Sequence, residues 1–456
     1  MTDERAEQAD EASLRADAQD AARIYQAAHD LHITYRQDDS PAPGAGQLSL
    51  RHLLACFADA PLPVAVLCPE AVAAARMPEL PAERVAAELR ALPHAAGEIP
   101  CVRPDPAALA ESARELADDQ HTRLATYAAA LLDHALLRSP QGAALDLLAP
   151  HVMALLWRPR GDPARSATAA RRVRDAYEKG GRYAQALPFA VRIAESATGS
   201  GTADSLALGR LRTDCGDVGE AVAVLRPLLA QAERAATGRG LSLAGRTGPS
   251  FTEIFRENAA GPFTSGLSPA DCHALEDVAD VQHALAGALY GLRRYAECER
   301  LLLSASGLRW RVLGALHPAY MLAQLHRARA LGRQRLWLEA LSLVHNVLSF
   351  WDRAELDPDR PWDDALLRLA LAEVMTGAVR SLREEGASRS RGVGMFPAPV
   401  VRFLDRTLGS NPRPDKVTWQ EAHTRAEEAV RACDGAFGPA HPHSRAARAL
   451  LERPPP

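Results

Sequence analysis

Tyr295 stands three residues before Cys298, and Trp337 stands three residues before Ala340; the two pairs are 42 residues apart. Between them lie two apolar helical patterns divided by Gly314 and His317-Pro318. A two-helix unit recurring at this period cannot bury its apolar face alone. It must stack on its neighbours, which is the logic of a helical solenoid. The same signature returns at Tyr183/Ala186, Val218/Ala221 and Trp419/Ala422. The second helix of each pair must approach the first closely, so one position must be small, while the bulky residue fills the turn. Gly181 and Gly216 sit two residues before Tyr183 and Val218, where the chain leaves the first helix.

The spacing is not uniform. A first insert is expected near 237–269, around the Gly-rich ATGRGLSLAGRTGPS, and a second near 384–415, containing GASRSRGVGMFPAP and GSNPRPD. Two steps agree closely: Cys298 to His317 and Ala422 to His441 are both 19 residues. His317 and His441, each followed by proline, are expected to cap a helix turn.

The front of the chain reads differently. Residues 1–22 are polar and acidic and predict a disordered tail. Residues 23–36 alternate as a short β segment, and the Pro/Gly-rich 37–47 is a linker. Residues 48–160 predict a small helical domain with at most a minimal wing. Its parts are a helix from Leu48, either a strand or a helix start at Val64–Leu67, an amphipathic helix over 81–92, an extended EIPCVRPDP, a helix opening at PAALAESARELADD, and helices near 119–138 and 141–157. The repeats then occupy 161–456. The fold class expected is all-α, a right-handed solenoid preceded by a small winged-helix-like domain and a short β segment. Hydrophobic content of 47% with only 5% aromatics agrees with an Ala/Leu-rich helical protein.

Charge and cysteine content exclude several classes. A formal charge of −4 gives no global drive toward nucleic acid or an anionic membrane. The seven cysteines are scattered and never form CxxC, which predicts a reduced, cytoplasmic setting. No signal peptide and no bilayer-spanning run is read.

The repeats resemble tetratricopeptide repeats of the kinesin-light-chain-like kind, whose units read Y-x-x-A followed by an LGPxHP exit. VLGALHP, ELDPDRP and AFGPAHP are three versions of that exit. The N-terminal half is similar to the winged-helix region of actinobacterial STAND (NB-ARC-like) regulatory ATPases through LLACFADAPLPVAVL, VRPDPAALAESAR and LLAPH. IYQAAHDLHI resembles a segment those proteins carry ahead of their ATPase domain. Arg103 stands where that family has histidine. The chain has only Lys179 and Lys416, neither in a Gly-Lys-Ser/Thr loop. The resemblance therefore implies a STAND-derived regulator without its nucleotide engine.

No catalytic, cofactor or metal site is predicted. His29/His32, Asp271-Cys272-His273 and His441/His443 lack four ligands at zinc spacing. Cys298 occupies a slot that demands a small buried residue rather than a nucleophile. The basic run RPRGDPARSATAARRVR over 158–174 lacks interleaved aromatics and reads as a solvated helix face. The function expected is a non-catalytic scaffold or adaptor that takes a partner protein or peptide in the groove, with no cofactor and no membrane. Gln282, Arg293, Gln324, Arg327 and Arg335 are the polar residues expected near that groove. The alternative is a DNA-binding or signalling regulator using the winged-helix-like part. Self-association through the edge of 23–36 is a further expectation.

Overall fold

The structure is a computed structural model. It describes residues 48–92, 94–95, 98–103, 105–158, 161–196, 201–243, 264, 266–351, 354, 356–358, 360–389 and 419–452. The expected acidic tail, the β segment 23–36, the linker and most of both inserts lie outside the described residues. What is described is almost entirely helical. It forms two compact units, Met1–Cys215 and Gly216–Pro456.

The first unit opens with α1 (Leu50–Leu54), α2 (Pro69–Ala75), α3 (Ala82–Arg90) and α4 (Pro106–Arg114). Three two-residue strands stand among them: β1 (Leu62–Pro63), β2 (His94–Ala95) and β3 (Cys101–Val102). They pair antiparallel in the order β1-β3-β2, with Leu62 opposite Val102 and His94 opposite Val102. Val64–Leu67, open between strand and helix on sequence, is one turn of 3-10 helix. Pro63 has no N–H to extend the ladder, and Val64 N–H donates to the Pro100 carbonyl at 2.9 Å.

Longer helices follow: α5 (Asp118–Leu136), α6 (Ala143–Trp157), α7 (Pro163–Lys179), α8 (Tyr183–Glu195) and α9 (Thr202–Asp214). Helix α6 is apolar nearly all round and is accordingly buried, touching α5, α7, α8 and β1. Within it, His151 is fully buried. Its Nδ1 accepts from Ala58 N–H at 3.2 Å, so its Nε2–H donates to the Pro61 carbonyl, also at 3.2 Å. The histidine of LLAPH thus stitches α6 to the turn before β1. Burial pulls its pKa down to about 4, so it is neutral at pH 7.

Residues 161–215 belong to this first unit. Side chains give the reason. Arg172 pairs with Asp133 of α5 at 2.7 Å, and the Tyr177 hydroxyl donates to Asp146 of α6 at 3.0 Å. Helix α7 is therefore tied backward as well as forward.

The second unit comprises α10 (Val218–Gly238), α11 (Pro269–Gly291), α12 (Tyr295–Leu313), α13 (Pro318–Arg333), α14 (Trp337–Phe350), α15 (Pro361–Arg389), α16 (Trp419–Phe437) and α17 (Pro442–Leu451). Consecutive helices from α10 to α17 pack on each other, and α13 also packs on α15. Helix α15 runs to Arg389, past the point where the sequence predicts the second insert to start. The core around α13 to α15 is built from Met321, Leu325, Ala328, Val344, Leu367, Leu371 and Met375, among others. Each such leucine contributes about 1.5–3 kcal/mol by leaving water.

The bulky-then-small pairs open helices. Tyr183, Val218, Tyr295, Trp337 and Trp419 are first residues of α8, α10, α12, α14 and α16. Ala186, Ala221, Cys298, Ala340 and Ala422 are each buried, at 0% or 1% exposure. The turns before these helices are equally regular. Arg182 N–H reaches the Tyr177 carbonyl at 2.8 Å, Arg294 N–H the Leu289 carbonyl at 2.9 Å, and Leu336 N–H the Leu331 carbonyl at 3.0 Å. These six-residue closures are Schellman turns, which need one left-handed residue. Gly181, Arg293 and Arg335 hold that slot with φ of 68, 58 and 63°. His317 and His441 are helix N-caps: their Nδ1 atoms accept from Ala319 N–H at 3.2 Å and His443 N–H at 3.1 Å.

The Trp337 ring fills the space over two glycines. A methyl on Gly332 would overlap the ring, and one on Gly377 would come within 3.0 Å of it. Gly291 likewise faces Val218, where a methyl would approach to 2.7 Å. We expect Gly332→Ala to destabilise the second unit by about 1–3 kcal/mol through overpacking, outweighing the gain of about 1 kcal/mol in helix propensity. Thermal denaturation checks this. Adding Trp337→Leu should recover part of the loss in a double-mutant cycle, because it removes the ring that the methyl strikes.

Candidate functional site

An assembly of polar side chains lies across α11, α12, α13 and α15. Arg309 of α12 is only 5% exposed. Its guanidinium donates to Asp280 of α11 at 2.7 Å, to the Ala319 carbonyl at 3.0 Å, and to His283 Nδ1. A guanidinium can only donate, so His283 Nδ1 accepts and its proton sits on Nε2. That Nε2–H donates to His326 Nδ1 of α13 at 2.7 Å. His326 must then carry its own proton on Nε2. One buried cation thereby sets the tautomers of two imidazoles on neighbouring helices.

Next to this chain, Tyr290 collects two arginines of α13. Arg329 Nε donates to its hydroxyl at 3.1 Å and Arg333 Nε at 2.8 Å, with the Arg329 guanidinium 4.5 Å from the ring centre. Arg329 also pairs with Glu373 of α15 at 3.1 Å. His283, His326, Arg329 and Glu373 are half-buried, so the seam keeps an open side. It can offer hydrogen bonds and both signs of charge to a partner, on helices held rigid by the core beneath.

The electrostatics favour neutral histidines. Desolvation, followed by the nearby Arg329, Arg309 and His443, takes the His326 pKa down to about 3. Desolvation, followed by His443 and Arg445, takes His441 to about 4, where its ring stacks on Phe437 at 4.5 Å. Burial pushes the Cys298 thiol up to about 12, the opposite of an activated nucleophile.

The five residues expected near a groove do not share one face. Gln282 is 4% exposed and Gln324 9%, with Gln324 Nε2 donating to the Tyr320 hydroxyl at 2.9 Å. Both glutamines therefore lie inside the fold and present no solvated surface; the helix face assigned to them on sequence points into the packing. Arg327 pairs with Glu299 at 2.7 Å. Arg293 and Arg335 occupy turns, outside the helices. The seam residues that do converge are not singled out by the repeat, because His283 and His326 are 43 residues apart, one more than the period.

Other candidates are absorbed locally. Lys179 ends α7. Asp271 caps α11 with Ser268, and His273 is exposed. No group of three or more metal-ligating side chains forms among the described residues. In the basic run, Arg165 pairs with Asp162, Arg172 with Asp133, and Arg171 and Arg174 with Asp204. Asp204 is 5% exposed; burial alone would raise its pKa, but the two arginines hold it below the usual carboxylate range. Arg171, Arg172 and Arg174 are thus engaged in ion pairs within the first unit.

No protein-family model and no curated protein matches the chain.

The His326 shift carries a pH dependence with a definite sign. The unfolded chain takes up a proton near pH 6.5 and the folded one only near 3, so the unfolded state binds more protons between those values. Stability from this group is full above about pH 6.5 and falls as the pH drops toward 3. Urea denaturation of the wild type between pH 7.5 and 4.5 should show the decline, and His326→Asn should make it shallower, His151 and His441 carrying the remainder. An equal slope in both proteins would show that His326 is not the group responsible.

Proposed function

We propose that this chain is a non-catalytic interaction protein whose helix pairs form a tetratricopeptide-like solenoid and take a protein or peptide partner. The observation that carries this reading is the recurring hairpin. A bulky residue opens each second helix, a buried small residue follows three positions later, and a Schellman turn precedes three of them. Stacked pairs of this kind expose the first helix of each pair along one face. The seam over α11, α13 and α15 is read as part of that face, and its converging polar groups would orient a partner while apolar neighbours supply area. The three short strands and their flanking helices are read as a residual winged-helix-like element. All seven cysteines are free thiols, which supports a cytoplasmic setting. No described helix is long and apolar enough to cross a membrane.

Two experiments test the proposal. Calorimetric titration with ATP or GTP should give no binding heat, because neither lysine sits in a phosphate loop. Quantitative capture of partners from the native host should drop when Asp277→Arg and Arg380→Glu are combined. These charges flank the seam on α11 and α15 and lie outside its hydrogen-bond chain. If circular dichroism shows both proteins folded and the captured set is unchanged, the seam is not the binding face.

A further inference from the structure

The left-handed slot of the Schellman turn is held by glycine before α8 and by arginine before α12 and α14. Glycine enters that conformation freely, whereas a side chain is strained there. Two neighbouring turns therefore keep arginine where local structure would prefer its removal. Both turns are exposed, and each sets a large apolar side chain beside the arginine: Leu292, 39% exposed, next to Arg293, and Leu336, 42% exposed, next to Arg335. These are two of the three exposed large hydrophobic residues in the described chain.

The turns are adjacent in space. Tyr290, three residues before Arg293, receives the Arg333 hydrogen bond at 2.8 Å, and Arg333 lies two residues before Arg335. Neither the Arg293 nor the Arg335 guanidinium makes an ion pair or hydrogen bond among the described residues. Arg294, by contrast, is paired with Glu297. The edge thus presents two uncommitted guanidinium forks, each flanked by an exposed leucine.

We propose that this turn edge is a second docking surface, for an acidic peptide segment that carries apolar side chains between its carboxylates. Guanidinium forks match carboxylates two bonds at a time, and the leucines give the apolar residues of the segment something to cover. A lipid surface fits less well, because the forks and leucines sit on two short turns, 292–294 and 334–336, rather than on a broad basic plane. The edge adjoins the helix-face seam through Tyr290, but Leu292, Arg293, Leu336 and Arg335 take no part in the seam's hydrogen bonds, so either surface can fail without the other.

The test uses the full chain and a fluorescein-labelled peptide of repeating Glu-Glu-Leu, with a Gln-Gln-Leu peptide as control. Wild-type protein should give a saturable rise in anisotropy with the acidic probe alone, weakened when salt is raised to about 0.5 M. Arg293→Gly with Arg335→Gly removes both forks while relaxing both turns, so the thermal midpoint should hold or rise. Affinity for the probe should fall at least about tenfold. Leu292→Ser with Leu336→Ser should weaken binding without changing its salt dependence. The proposal is overturned if wild type does not bind the acidic probe, or if the double-glycine protein binds it equally. It is also overturned if the arginines prove necessary only for binding phosphatidylserine vesicles, which would make the edge a membrane contact.

Discussion

Close approach of one helix to the next at its first turn is the constraint on which the second unit depends. A bulky residue closes the turn and a small one three positions later lets the backbones meet. Where the bulky residue is Trp337, the neighbouring helices answer with Gly332 and Gly377; where it is Val218, the answer is Gly291. At Tyr295 the solution differs: Tyr290 meets its ring edge-on at 5.2 Å and is itself covered by Arg329 and Arg333. One steric requirement thus has two chemistries, bare glycine under a large ring or a tyrosine pair roofed by arginine. The second kind brings polar groups to the helix faces, and the seam follows from it.

Burying polar groups is costly unless each finds a partner. Arg309 resolves this by distributing its donors among a carboxylate, a carbonyl and an imidazole, and the imidazole passes the constraint to His326. In the first unit, Asp204 performs the converse task for Arg171 and Arg174, and His151 pins α6 to the turn before β1 with both ring nitrogens. Neutral histidine is the shared device. It accepts at one nitrogen and donates at the other, joining a backbone N–H to a carbonyl or one helix to the next with no charge to bury. Protonating any of them would place a charge in the interior.

Sequence by itself determined the helical class, the residues at which five helices open, and the histidine caps at 317 and 441. These rest on periodicity, on side-chain size and on prolines that cannot sit inside a helix, all of which are local. Tertiary structure alone decided the rest. Residues 161–215 join the first unit because Arg172 and Tyr177 find partners on α5 and α6, far away in the chain. Gln282 and Gln324 are buried although polar, while Arg293 and Arg335 turn outward from strained slots. Which side of an amphipathic helix meets a neighbour depends on where that neighbour lies. Where polar residues are needed on the packed side, hydrophobic pattern no longer tells inside from outside. The seam of His283, His326 and Arg309 exists only because three helices are held together by contacts between residues 26 to 43 positions apart.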